Sequence, residues 1–89
     1  MIEREVEIVN RLGLHARAAA KLVQTAGSFD SRLWVVKDGE EVDAKSILGI
    51  LLLAASQGTR VTLRAEGEDE EAAIDAVSRL IADRFHEES

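Results

Sequence analysis

His15 and Arg17 stand two residues apart where the turn Gly13-Leu14 runs into a stretch of helix formers beginning at Ala16. The first backbone N–H groups of a helix have no partner inside it, and the helix dipole adds partial positive charge there. An imidazole at that edge borders a ready anion site. Arg17 adds a planar fork of donors suited to phosphate oxygens. A neutral imidazole beside a phosphate-sized anion hole is what reversible phosphoryl acceptance on nitrogen requires. The same spacing also fits a plain polar histidine at a helix entry, so position alone leaves both readings open. Ser46 is a second candidate. It precedes the apolar run from Ile47 to Leu53, as a helix N-cap does, a role worth about 1 kcal/mol. A phosphate added there would put about −2 charges beside whatever surface the run presents.

The elements that position these residues follow from periodicity. Ile2, Val6 and Ile8 alternate with Glu3, Glu5 and Glu7, a strand interrupted in pattern only by Arg4. Asn10-Arg11-Leu12-Gly13 supplies turn chemistry. A helix over residues 16–26 turns Ala19, Ala20, Leu22, Val23 and Ala26 inward, and Gly27 is placed to be its left-handed cap. Strands follow over 32–37 and 40–43, joined at Asp38-Gly39, a hairpin signal. The run from Ile47 is apolar all round, and a short helix in a small domain cannot bury every side. Ile50 and Leu53 are expected inward, and Ile47, Leu48 and Leu51 outward, an apolar patch suited to a partner. A strand over 60–65 buries Val61, Leu63 and Ala65. A last helix over about 70–84 buries Ala73, Ile74, Val77, Leu80 and Ile81, with acids in its first turn and Arg84 in its last. Trp34 and Phe29 read as core or edge packing, and His86 as part of a frayed, charged tail without a role.

The order β-α-β-β-α-β-α indicates a two-layer α+β sandwich, with the fourth strand antiparallel between the first and second and a right-handed first crossover. The 89 residues make one domain, 1–89, with a small core. A net charge of −6 argues against a general nucleic-acid binder. The acidity is local: residues 66–89 carry −7 and the first 65 carry +1, leaving Arg11, Arg17, Lys21 and Lys45 to meet an anion. The chain has no cysteine and two histidines, which excludes disulfides and thiolate chemistry and speaks against a metal site. No cofactor is called for. The N-terminus lacks the apolar stretch of a signal peptide and no run is long enough to span a bilayer, so a soluble, cytoplasmic protein is expected.

The segment Asn10-Arg11-Leu12-Gly13-Leu14-His15-Ala16-Arg17-Ala18-Ala19 resembles the phosphorylation-site motif of HPr, the histidine-containing phosphocarrier family of the bacterial phosphoenolpyruvate-dependent sugar phosphotransferase system. Lys45-Ser46-Ile47-Leu48-Gly49-Ile50 resembles that family's regulatory serine segment, and the separation of the two segments matches as well. The resemblance implies an open-faced two-layer β-sandwich, a four-stranded antiparallel sheet with three helices on one face. It implies that His15 accepts a phosphoryl group on Nδ1 from phosphorylated enzyme I and passes it to an enzyme IIA domain. Arg17 and the amides of Ala16 and Arg17 would steady the phosphoryl oxygens, and Ser46 would be a target of HPr kinase/phosphorylase. Ala20, Lys21 and Gln24 would join Ile47, Leu48 and Leu51 as the docking face of a monomer. The chain departs from the family at Ala18, where proline is usual; alanine keeps an N–H there and puts the helix start in question.

Two other functions stand beside the carrier. A regulatory relay of the same family, reporting nitrogen or carbon status without feeding sugar import, would use the same site. A small ligand-binding regulatory domain of sandwich type, acting as a homodimer, gives no reason for the pairing of His15 with Arg17.

Overall fold

The computed structural model describes residues 1–88. Four strands, β1 (Ile2–Glu7), β2 (Arg32–Lys37), β3 (Glu40–Asp43) and β4 (Arg60–Glu66), form one sheet in the order β1-β4-β2-β3. Every pairing is antiparallel, with Val6 opposite Val61 and Val35 opposite both Leu63 and Val42. The fourth strand thus lies between the first and second, as the sequence indicated. Helices α1 (Ala16–Gly27), α2 (Ile47–Leu53) and α3 (Glu70–Ala82) complete the element order.

The two-residue alternation decides which sheet face is covered. Leu33, Val35, Val61, Leu63 and Ala65 are buried beneath the helices together with Ala19, Leu22, Ile74 and Val77. Their neighbours along the strands form the open face, where Arg64 reaches Glu3 at 2.5 Å and Glu41 at 2.6 Å. Trp34 lies on that face and is half-buried, so it is not a core residue. Arg4, the interruption in the first strand's pattern, sits opposite Leu63 on the helix side. It leaves the sheet edge to bond Asp75 of α3 at 2.7 Å and Ser78 at 3.3 Å.

Local chemistry accounts for most element ends. Asp38 and Gly39 both take positive φ (50° and 81°), the pairing a type I′ hairpin requires. Ser46 caps α2, its hydroxyl oxygen accepting the Gly49 N–H at 3.2 Å. Ser46→Ala is expected to lose about 1 kcal/mol and to lower Tm by about 4–8 °C, read by thermal unfolding followed by circular dichroism.

Two helix ends differ from expectation. Gly27 is the last helical residue of α1 and not a left-handed cap: Ser28 follows in a right-handed conformation (φ −80°, ψ −4°), so no glycine is needed there. Helix α3 stops at Ala82, with Arg79 in its last turn. Arg84 lies beyond it, in a tight turn where Arg84, Phe85 and His86 all have φ between 55° and 63°. The segment is not a frayed tail, because Phe85 is fully buried and anchors it. Three consecutive non-glycine residues in the left-handed region are costly, and burial of a phenylalanine ring offsets that cost.

Candidate functional site

The site begins with a loop that only glycine can make. Gly13 has φ +64°, and a Cβ there would stand 2.4 Å from the Ala55 carbonyl oxygen. That same oxygen accepts the Leu14 N–H at 2.9 Å, which pins the loop between α2 and β4 to the start of α1. Asn10, fully buried, closes the loop from within by donating its Nδ2 to the Gly13 carbonyl at 2.8 Å. The turn therefore delivers His15 to a fixed place.

His15 occupies the N-cap of α1 with extended backbone (φ −73°, ψ 177°). Its carbonyl accepts the Ala19 N–H at 2.8 Å, the first bond of the helix. The amides of Ala16, Arg17 and Ala18 precede that bond and have no carbonyl within the helix to meet. Ala18 is fully buried in the first turn, so alanine holds the helix start at Ala16 without proline's preset φ. The His15 side chain is 24% exposed and caps nothing, which leaves its ring available for chemistry.

The group that faces the ring came from a part of the chain the sequence had assigned no role. Glu87 follows the buried Phe85 by two residues, and its carboxylate is 10% exposed. One oxygen accepts Asn10 Nδ2 at 3.0 Å; the other meets His15 Nε2 and lies 3.8 Å from the Arg17 guanidinium. Burial by itself would push this carboxyl up. The hydrogen bonds from Asn10 and His15 and the charges of His15 and Arg17 outweigh it, holding the carboxyl below its ordinary value of 4.5. The negative charge thus stabilises the folded chain above pH 4.5, and that contribution is lost as pH falls from there through the depressed value. Glu87→Gln is expected to flatten this part of the pH dependence: wild type should lose more Tm than the variant between pH 5 and pH 3. Parallel curves for the two proteins would contradict it. No motif marks Glu87, since its partners lie seventy or more positions earlier.

Other expected residues divide. Arg11 and Arg17 are exposed and, with Leu12 and Lys21, border a depression of about 330 Å³ that Glu87 also lines. Lys21 gives its ammonium to the Phe85 carbonyl, and Lys45 gives its own to the Phe29 carbonyl at 2.8 Å, so both are engaged within the fold. On α1, Gln24 is exposed and Ala20 half-buried. Helix α2 packs beside α1 with Ile50 and Leu53 inward and Ile47 and Leu48 exposed. Leu51, expected outward, is half-buried against the core, and Leu52 is the exposed residue instead, at 69%. Helical spacing carried that signal, since Leu48 and Leu52 are four apart and share a face. His86 bonds Asp83 on the surface and lines the same depression as Arg17 and Glu87. No group of three or more potential metal ligands occurs among the described residues, and none of their helices is long and apolar enough to cross a membrane.

A family model described as the PTS HPr component phosphorylation site matches residues 2–83. The phosphocarrier protein HPr of Xylella fastidiosa (strain Temecula1) is 53% identical over 89 residues, covering all of both chains. The phosphocarrier protein NPr of Shewanella violacea is 43% identical and covers 99% of this chain and 97% of its own. Among solved structures, HPr-C-His from Thermoanaerobacter tengcongensis superposes with a TM-score of 0.96 at 55% identity, covering both chains fully. A second structure from that organism, described as an HPr dimer, gives 0.79 at 55% identity over 98% of this chain and all of the other.

Proposed function

This chain belongs to the HPr family of phosphotransferase-system phosphocarriers, and from that premise we propose that it carries a phosphoryl group on His15. The observation that supports this most directly is the placement of an uncapped imidazole at the start of α1, ahead of three helix-entry amides and beside Arg17. The reaction is a double transfer. The Nδ1 lone pair bonds phosphorus as the N–P bond of phosphorylated enzyme I breaks, and the enzyme I histidine leaves with that electron pair. The same exchange then runs from His15 to an enzyme IIA domain. The helix-entry amides and Arg17 hold the three equatorial oxygens, where charge is greatest during transfer. A shallow surface site suits a carrier, because the bound group must be stabilised enough to persist and little enough to leave.

Both partners would dock on the exposed apolar residues Ile47 and Leu48 of α2 with Gln24 of α1, the helix that also brings Arg17 and Lys21 to the depression. Ser46 lies at the edge of that surface, so phosphorylation there by HPr kinase/phosphorylase would replace a cap with a doubly negative group and weaken association with an acidic partner. The chain would act as a single copy in the cytoplasm. The likeness to a protein named NPr supports a second reading, a regulatory relay uncoupled from sugar import. It uses the same site and differs only in which acceptor takes the phosphoryl group.

Phosphorus NMR of the protein treated with phosphoenolpyruvate and enzyme I tests the proposal. A phosphohistidine resonance assigned to Nδ1 of His15 is the expected result; no phosphorus signal on the protein overturns it. Onward transfer assayed against sugar-specific and regulatory enzyme IIA domains separates the two readings.

A further inference from the structure

Glu87 makes the one side-chain hydrogen bond to the His15 ring among the described residues, and it does so at Nε2. The carboxylate is held from two directions. Phe85, fully buried, fixes the backbone just before it, and Asn10 binds its other oxygen at 3.0 Å while also holding the loop that leads to His15. A single buried amide thus ties the carboxylate and the histidine into one frame.

From this arrangement we infer that Glu87 is a positioning residue for phosphoryl transfer, keeping the ring proton on Nε2 so that Nδ1 carries the nucleophilic lone pair. The inference rests on the reading of His15 as the acceptor. An ionised carboxylate has no proton to donate, so the nitrogen facing it presents an N–H, and in the neutral ring the other nitrogen is then unprotonated. That lone pair forms the bond to phosphorus while the donor's N–P bond breaks and the donor imidazole departs with the electron pair. The proton on Nε2 stays where it is. The ring becomes cationic on phosphorylation, and Glu87 is already in place to face that charge. On discharge the N–P electrons return to Nδ1 and the neutral tautomer is restored. Glu87 also fixes ring orientation, as a carboxylate partner does for other histidines that act through one nitrogen. Arg17, 3.8 Å from the same oxygen and largely exposed, is free to turn to the phosphoryl oxygens without breaking this bond.

The test uses the full chain, unphosphorylated and labelled with nitrogen-15 in histidine, so that it can fail independently of the carrier reading. In wild type the His15 ring is expected as the Nε2–H tautomer. In Glu87→Gln the ratio should move about tenfold toward Nδ1–H, the difference between a charged and a neutral hydrogen-bond partner. Glu87→Ala should shift it in the same direction, which separates loss of the carboxylate from a new bond made by the glutamine amide. Initial phosphorylation by enzyme I should fall in proportion to the Nε2–H fraction that remains, and Glu88→Gln should change neither reading. An unchanged tautomer ratio in either folded variant overturns the inference. So does faster phosphorylation of Glu87→Gln, which would make the carboxylate an obstacle. If wild type shows the Nε2–H tautomer but takes no phosphoryl group, the carrier reading fails, and with it a role for Glu87 in transfer.

Discussion

His15→Ala is expected to abolish phosphoryl transfer, with label incorporation falling by about 10³-fold or more because no other side chain at the α1 entry can form the covalent bond. The variant should remain folded. The His15 side chain makes no capping bond, and its backbone carbonyl still accepts the Ala19 N–H. Glu87 keeps its bond to Asn10 and its proximity to Arg17. The measurement is phosphorylation with labelled phosphoenolpyruvate and enzyme I, with circular dichroism and Tm read on the same samples. Label that survives in a folded His15→Ala protein would place the acceptor elsewhere, and the account of the α1 entry would fall with it. Arg17→Ala should be milder, slowing transfer without removing it, since the helix-entry amides remain.

The second large effect belongs to a residue that carries no chemistry. Gly13→Ala should destabilise the fold by about 3 kcal/mol, from two additive sources. Alanine in the left-handed region costs ~1–2 kcal/mol, and forcing a methyl group against packed atoms costs ~1–3 kcal/mol. The added Cβ would stand 2.4 Å from the Ala55 carbonyl oxygen and 2.9 Å from Ser56 Cα, both backbone atoms that no side-chain rotation can move aside. Urea unfolding should show a lower midpoint with an unchanged slope. Phosphorylation should slow even where the variant is fully folded, because relieving the clash pushes apart the Leu14–Ala55 bond that places His15. An unaltered midpoint would mean that the loop is softer than this geometry implies.

The contrast between these two positions shows where the sequence is informative. His15, Arg17 and the glycine before them lie within one turn, so their joint meaning is written in consecutive residues. The strands are legible for a related reason. Alternation of apolar and polar residues directly encodes which side of a sheet is covered, and Val61, Leu63 and Ala65 lie where that pattern puts them. The hairpin at Asp38-Gly39 and the cap at Ser46 are equally local, each decided by a backbone preference or one short-range bond. Where local signals compete, the sequence is ambiguous. Leu51 and Leu52 are chemically alike in a run apolar all round, and only packing against the core decides which one turns inward. Arg4 looked like a break in a strand, because the carboxylate it bonds belongs to a helix seventy-one residues later.

Short-range pattern determined the strands, the helices and the histidine at a helix entry, since each depends on residues close together or on a repeating period, and connection rules then placed the fourth strand between the first and second. The tertiary structure alone decided that Glu87 meets His15. That contact joins positions seventy-two apart through a left-handed turn held by a buried Phe85, and neither periodicity nor spacing can register a bond whose geometry exists only after the core has closed.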